Sequence, residues 1–235
     1  MSFEKKILVF TATYNEYENI VELIKKIKNQ KSKPDLLIID DNSPDNTSEK
    51  VLELQKEYNN LFLIKRDGKL GLDSAHKEGY QYALKNNYDY LITMDADFSH
   101  DPNEIKNFIH NLENFPFVIG SRYIEGGKCL MKKRRLFISK YGNLLIKSVL
   151  KINCKEYTSS YRGFNLKTLN NFSLDLVKTK GYSFFMGTVF EINKRKFNIK
   201  QIPIVFADRA KGYSKIPKLE IFRTLKNLLI LFFKK

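Results

Sequence analysis

Five short apolar runs alternate with stretches of helical periodicity through the first half of the chain, and that alternation constrains the fold more than any other feature. The runs lie at residues 7–10, 36–39, 61–64, 90–94 and 117–119, each the length of a buried strand. Between them stand EYENIVELIKKIKNQ, NTSEKVLELQKEY, LDSAHKEGYQYALKNN and DPNEIKNFIHNLEN. In the first, Ile20, Leu23, Ile24 and Ile27 form one stripe; Asn46 and Thr47 are candidate caps of the second; Pro102 takes an early helical position in the fourth. Strands joined through single helices by short loops imply a mostly parallel, doubly wound α/β sheet with flanking helices. Ligands of such sheets sit outside the carboxyl ends of the strands. The segments at those ends are TATYNE, DDNSPDNT, RDGKLGLDSA, DADFSH and GSRY. All are polar or contain Gly, and the first four carry acidic residues, so one predicted edge of the sheet is a candidate site.

Beyond about residue 125 the alternation weakens into a basic helix-like stretch at 132–150, a mixed region to 198, the strand-like KQIPIVF and a final helix from about 217. The 235 residues suit one large α/β domain or two small ones, and no repeat or Gly/Ser linker marks a boundary. A hydrophobic fraction of 43% with 13% aromatics is that of a globular chain. No stretch approaches the roughly 20 apolar residues that cross a bilayer. MSFEKKILVFTAT runs straight into Tyr14, Asn15 and Glu16 without a small-residue cleavage pattern, so it reads as a first core strand and not a leader. Cys129 and Cys154 make no disulfide framework, and a reducing cytoplasm is the simplest compartment.

The formal charge of +15 favours anionic partners: phosphorylated substrates, an acidic membrane face or nucleic acid. It is concentrated in KCLMKKRRLFISK, which holds Lys128, Lys132, Lys133, Arg134, Arg135 and Lys140. A nucleic-acid-binding module would use this cluster and bind any duplex in a salt-sensitive way. That reading gives the acidic strand ends no role, and no nucleic acid is expected as a partner.

Asp95 and Asp97, one residue apart in LITMDADFSHDP, would face the same side of an extended strand. They are either solvated turn residues or the protein ligands of a hard divalent cation. Mg²⁺ or Mn²⁺ suits the second reading, because these ions take few protein ligands and fill the rest of their shell with waters and substrate phosphates. His76, His100 and His110 are scattered, with no zinc spacing and no nucleophilic triad. GKLGLDSA is neither a Walker loop nor a dinucleotide fingerprint.

The ordered set ATYNE, DDNSPDNT, KLGLDSA, MDADFSH and GSRY resembles glycosyltransferase family 2 enzymes of GT-A fold, and within them the polyprenyl-phosphate sugar transferases that include dolichol-phosphate mannose synthases. The similarity continues through RRLFISKYGN, EYTSSYRGF and KGYSFFMG to PIVFADRAKGYSK, nearly the whole chain. It implies a single GT-A domain over 1–235, with nucleotide binding in about 1–125 and acceptor binding in about 126–235. Ala12, Tyr14 and Glu16 would border the donor nucleotide, with Ile39 and Asp41 against its base and ribose. Asp95, Ala96 and Asp97 would form the metal and diphosphate site, Asp97 being the direct ligand and Ser99 nearby. Arg122, Arg135 and Ser139 would meet the acceptor phosphate, and Arg209 and Lys215 would close over the donor diphosphate. Tyr14 as core packing, Arg122 as a structural ion pair and Lys215 as a surface charge are the ordinary alternatives.

The implied reaction is transfer of a mannosyl residue from GDP-mannose to dolichyl or polyprenyl phosphate, with inversion and with Mg²⁺ or Mn²⁺. UDP-glucose as donor, or a glycan acceptor, is the rival within the fold. The implied location is peripheral, on the cytosolic face of a membrane: endoplasmic reticulum in a eukaryote, inner membrane in a bacterium. Small membrane subunits are candidate partners. Two departures from relatives fall on the acceptor side: Glu156 stands where Asp is common, and Gly187 where an acidic residue is common, with Glu191 a candidate substitute. In the last helix Ile221, Phe222, Leu225, Leu228, Leu229 and Phe232 fall on one face, with Phe233 at its margin, for packing on the domain or for lying in a membrane interface.

Overall fold

A computed structural model describes residues 5–209 and 220–234. In chain order the elements are β1 (Ile7–Thr13), α1 (Tyr17–Lys28), β2 (Asp35–Asp40), α2 (Thr47–Gln55), β3 (Leu61–Lys65), α3 (Leu72–Lys85), β4 (Tyr90–Thr93), α4 (Ile105–Leu112) and β5 (Phe117–Ser121). There follow β6 (Lys128–Cys129), α5 (Lys133–Leu150), β7 (Arg162–Asn165), α6 (Ser183–Lys194), β8 (Ile199–Pro203), β9 (Val205–Phe206) and α7 (Glu220–Phe233). The strands expected from the apolar runs are β1 to β5, and the periodic stretches between them are α1 to α4.

Seven strands form one sheet in the order β3-β2-β1-β4-β7-β5-β8, and β6 pairs with β9 beside it. Every pairing is parallel except those of β7, which runs antiparallel to both β4 and β5. The sheet is therefore mostly parallel, as the alternation requires, and β1 to β5 all end on one edge. Side chains alternate between its faces. Val9, Ile38, Ile92 and Val118 pack with the apolar faces of α1, α2 and α4. Leu8, Phe10, Leu37, Leu91 and Phe164 pack with α3 and α6 on the other side.

The structure corrects some local expectations. Neither Asn46 nor Thr47 caps α2 by its side chain: Asn46 is left-handed at φ 64°, and Asp45 Oδ1 accepts from the Thr47 N–H at 3.1 Å instead. KQIPIVF is broken at Ile204, so β8 joins the main sheet and β9 leaves it for β6. The single apolar face expected for the last helix splits, because Leu228 and Leu231 turn inward while Ile221, Phe222, Leu225, Leu229 and Phe232 face outward. Buried Glu220 anchors its start, accepting the Tyr182 N–H at 2.9 Å. No helix among the described residues is long and apolar enough to cross a membrane.

Gly187 is fixed by packing. A Cβ there would lie 2.1 Å from Thr179 Oγ1 and 2.9 Å from Val177 Cγ1, so α6 approaches the 177–179 segment more closely than any side chain permits. Gly187→Ala should destabilise the protein by about 1–3 kcal/mol in urea unfolding, the usual cost of overpacking a core. Adding Thr179→Ala, which removes the clashing hydroxyl, should recover part of that loss; a purely additive double mutant would place the strain elsewhere.

Candidate active site

The polar ends of β1 to β5 meet along one edge. Ala12 on β1 and Ile39 on β2 are register partners, so their side chains share a face and a floor. Beside them Asp40, which sequence reading passed over, is a buried organiser. Its carboxylate accepts from Thr13 Oγ1 at 2.7 Å, Ser43 Oγ at 2.5 Å, the Ser43 N–H at 2.8 Å and Ser48 Oγ at 2.8 Å, which ties β1, β2 and α2 together. Asp41 is ion-paired with buried Arg66 and accepts the Gly71 N–H at 3.0 Å, drawing the Gly-containing segment after β3 to the same edge. Tyr14 lies under the ammonium of Lys69, 4.0 Å from the ring centre.

The DADFSH turn is built around its two carboxylates. Phe98 adopts φ 61°, an uncommon conformation for a bulky residue, and the chain bends back so that Asp97 Oδ1 accepts from both Ser99 Oγ (2.5 Å) and the Ser99 N–H (3.1 Å). Burial alone would raise the Asp97 carboxyl; the Ser99 bonds and Arg209 outweigh it and hold it below the usual carboxylate range. Asp95 Oδ1 accepts from Ser160 Oγ at 2.5 Å. Loss of water around Asp95, assisted by the Asp97 charge and opposed by His100, raises its carboxyl. Buried His100 accepts the Asp95 N–H at Nδ1 (3.1 Å) and packs on Tyr161 and Phe206, while its Nε2 has no protein partner among the described residues. Its burial lowers the imidazole pKa against the pull of the two aspartates, which favours the neutral ring. Ala96, between the aspartates, is buried.

Just past the end of β5, Arg122 is buried and clamped. Its Nε and Nη2 donate to the two oxygens of Glu156 at 2.8 and 2.7 Å, Nη2 also to Thr158 Oγ1 at 2.7 Å, and its Cζ lies 5.0 Å from the ring centres of Tyr123 and Phe206. The ion-pair alternative raised by the sequence is thus real, yet Nη1 has no protein partner among the described residues. Glu156 further accepts the Thr158 and Ser159 N–H groups, both at 3.1 Å. Burial raises its carboxyl, but Arg122 and these donors prevail and hold it below the usual range. Tyr123 OH donates to Ser139 Oγ at 2.7 Å, and Asn143 Nδ2 reaches the Ser139 carbonyl at 2.8 Å and Thr158 Oγ1 at 3.3 Å, so Ser139 is linked to the Arg122 cluster. Arg162 lies beneath, donating to the carbonyls of Ser159 (2.8 Å) and Tyr157 (3.1 Å); burial pulls its guanidinium down to about 9.

The 207–209 segment crosses between the two sides. The Ala207 N–H bonds to the Ser99 carbonyl at 3.1 Å, exposed Arg135 reaches Asp208 at 3.5 Å, and Arg209 contacts Asp97 at 2.9 Å and Glu16 at 3.0 Å. The structure therefore brings Glu16, Asp97 and Arg209 into direct contact, with Asp95 in the same turn; Arg135 joins them through Asp208, and Arg122 and Ser139 belong to one hydrogen-bonded cluster. Lys215 lies outside the described residues. Gly187 has no room for an acidic side chain, and Glu191 is ion-paired with Arg195 four residues on.

The mostly parallel seven-stranded sheet with its flanking helices is the GT-A fold. Residues 8–172 match Glycosyl transferase family 2, and the chain belongs to that family; it is a glycosyltransferase. It is 32% identical over 212 residues to the undecaprenyl-phosphate mannosyltransferase of Micrococcus luteus, covering 90% of this chain and 87% of that one. It is 31% identical over 215 residues to the polyprenol monophosphomannose synthase of Mycolicibacterium smegmatis, covering 90% and 81%. Among solved structures, the glucosyl-3-phosphoglycerate synthase of Mycobacterium tuberculosis in complex with Mn²⁺, uridine diphosphate and glucosyl-3-phosphoglycerate superposes with a TM-score of 0.66, at 15% identity over 98% of this chain and 79% of that one. At that identity the likeness is one of fold.

The Glu156 clamp has a pH signature. A carboxyl held below its ordinary range stabilises the fold above that range, and the contribution disappears as the pH falls through the depressed value. Glu156→Gln should cost about 3 kcal/mol at neutral pH by leaving Arg122 without its counter-charge. Urea unfolding followed down to about pH 3 should show the wild type losing stability more steeply than the variant, so that the gap narrows in acid. A gap independent of pH would mean that shape and not charge holds the pair.

Proposed function

We propose that this glycosyltransferase moves a mannosyl residue from GDP-mannose to a polyprenyl or dolichyl phosphate, with inversion at the anomeric carbon and with Mg²⁺ or Mn²⁺. One observation carries the reading: a pair of carboxylates converging on a single cation, Asp97 and Glu16 on Arg209, stands at one strand edge beside the arginines Arg122 and Arg135. Such an edge suits a cation-bound diphosphate on one side and an anionic acceptor on the other. The names of the two bacterial relatives supply the substrate class.

In this scheme the part up to about residue 125 holds the nucleotide, with Ala12, Tyr14, Ile39 and Asp41 around base and ribose, and the part from 126 holds the acceptor. The oxygen donors of the DADFSH turn suit a hard cation, and Asp97 Oδ2 already faces a positive group. Asp97 would hold the ion, with Asp95 behind it. When bound, the cation neutralises charge developing on the departing diphosphate. Arg209 and Lys215 add positive charge there. Arg122 offers the guanidinium nitrogen that Glu156 leaves over, and Arg135 and Ser139 complete the orientation of the acceptor phosphate. The bond from the anomeric carbon to the donor diphosphate breaks as a phosphate oxygen of the acceptor attacks from the opposite face. That oxygen is already ionised near neutral pH, its second pKa being about 6, so no catalytic base is required.

Radiolabelled GDP-mannose and UDP-glucose, each offered with polyprenyl phosphate and followed by lipid extraction, test the donor and acceptor. Label should enter the lipid from GDP-mannose, and Asp97→Asn should lower the rate at least about a hundredfold, the scale of losing one electrostatic stabiliser of a leaving group. Transfer from UDP-glucose alone would replace the donor; undiminished turnover of the variant would remove the cation role.

A lipid acceptor requires the enzyme at a bilayer surface. Phe137, Tyr141 and Leu144, at helical spacing on α5, are 61%, 54% and 57% exposed, and α5 packs beside α7, whose outward residues are equally apolar. Lys133, Lys140 and Lys147 flank the α5 face at seven-residue steps. We assign this surface to an anionic membrane face on the cytosolic side, lying in the interface and not spanning it. Replacing Phe222, Leu225 and Leu229 by Ser leaves inward Leu228 and Leu231 intact. It should weaken sedimentation with anionic liposomes by about tenfold or more, since each buried side chain is worth 1.5–3 kcal/mol. Unchanged sedimentation would take α7 out of the docking face.

A further inference from the structure

Arg209 stands where a divalent cation would be expected. Its Nη2 lies 2.9 Å from Asp97 Oδ2 and its Nη1 lies 3.0 Å from Glu16 Oε1, with about a fifth of the side chain (22%) exposed. Each carboxylate has its other oxygen taken by its own segment: Ser99 bonds to Asp97 Oδ1, and Asn19 Nδ2 donates to Glu16 Oε2 at 2.8 Å. The two oxygens that face the cleft therefore converge on one guanidinium. Both carboxylates are largely buried, at 7% and 6% exposed, and a buried carboxylate without a counter-charge is costly. Arg209 supplies that charge from a short tether, because the Ala207 N–H is bonded to the Ser99 carbonyl on the same turn and Asp208 is met by Arg135.

We infer that Arg209 is the resident counter-ion of the donor site: it occupies the cation-facing oxygens of Asp97 and Glu16 until a nucleoside diphosphate arrives, and then moves onto the diphosphate. The inference rests on the reading of Asp97 as a cation ligand given above. A guanidinium and a divalent ion cannot both contact Asp97 Oδ2 without facing each other as like charges. A divalent ion arriving alone must therefore displace a tethered arginine from two carboxylates. A divalent ion arriving with a diphosphate meets no such opposition, because the diphosphate accepts the fork of Arg209 in bidentate fashion. Cation and nucleoside diphosphate thus favour each other's binding, and by linkage the coupling is equal in both directions. The site would load its metal with the donor and not ahead of it.

The test is Mn²⁺ binding to the full-length protein, read from the free-ion electron paramagnetic resonance signal, first alone and then with GDP, corrected for Mn²⁺ held by free nucleotide. Arg209→Gln should bind Mn²⁺ alone about tenfold more tightly than the wild type, the worth of one partly buried ion pair, and should gain less from GDP. Arg209→Lys, which keeps the charge, should stay near the wild type in Mn²⁺ alone, and coincident urea midpoints would show that the variants are folded. Equal Mn²⁺ affinity in wild type and Arg209→Gln, with GDP-dependent binding still lost in Asp97→Asn, would overturn the counter-ion role and leave the proposed function standing. Absence of Mn²⁺ binding in every form with GDP present would overturn both.

Discussion

Antiparallel pairing of β7 between β4 and β5 delivers a segment to the polar edge of the sheet by its leading end, and the cluster around Arg122 and Glu156 hangs from that reversal. In the parallel strands the site residues follow the strand. Before β7 they precede it, so Glu156, Thr158 and Ser160 arrive at the ends of β4 and β5 from the opposite direction. The ladder register puts Arg162 opposite both Thr93 and Ile119. Thr93 Oγ1 then bonds the Ser160 carbonyl at 2.5 Å and Ser160 Oγ bonds Asp95. The DADFSH turn and the Glu156 loop are consequently one rigid unit, set by these side-chain hydrogen bonds and by the adjoining end of the β4–β7 ladder.

That rigidity explains how so much charge is tolerated in little space. Asp40 is neutralised by hydroxyl and amide dipoles alone, Asp41 by Arg66, Glu156 by Arg122, and Asp97 by Arg209 and Ser99. Arg66 and Arg122 are each locked by several hydrogen bonds, and Arg209 bridges two carboxylates from different segments. The Arg66 and Arg122 pairs fix local geometry. A buried pair such as Arg122–Glu156 adds little net stability over an apolar equivalent; its contribution is to aim a guanidinium that would otherwise be free to rotate.

The sheet and its edge were legible because they depend on local patterns: apolar runs of strand length, helical spacing between them and polar segments at every strand end. The carboxylates and arginines of the site were legible through the resemblance. Asp40 and Arg66 were not, since one ends an apolar run like any turn residue and the other resembles a solvated charge until the fold brings Asp41 to it. Glu156 was seen only as a departure, because its partner Arg122 lies 34 residues away in sequence and the strand that joins them, Arg-Gly-Phe-Asn, is too short and too polar to show a period. The split face of α7 was hidden for a similar reason: helical spacing gives the angles of Leu228 and Leu225, but not which of them meets α5 or α6.

The position of α5 connects the last two features. Arg135 and Ser139, proposed for the acceptor phosphate, lie on the same helix as Phe137, Tyr141 and Leu144, and the two sets diverge around its axis. Ser139 and buried Asn143 turn toward Arg122, and the aromatic residues turn outward. A helix rises about 1.5 Å per residue, so a phosphate at Ser139 would stand within a turn of the apolar surface on which the attached chain must lie. On the proposed function, this makes α5 a ruler that sets the height of the reacting oxygen relative to the headgroups. It also accounts for the low amphipathic contrast of the helix. One side must be polar to meet the phosphate, another apolar to meet the acyl boundary, and the lysine row between them marks the level of the headgroups.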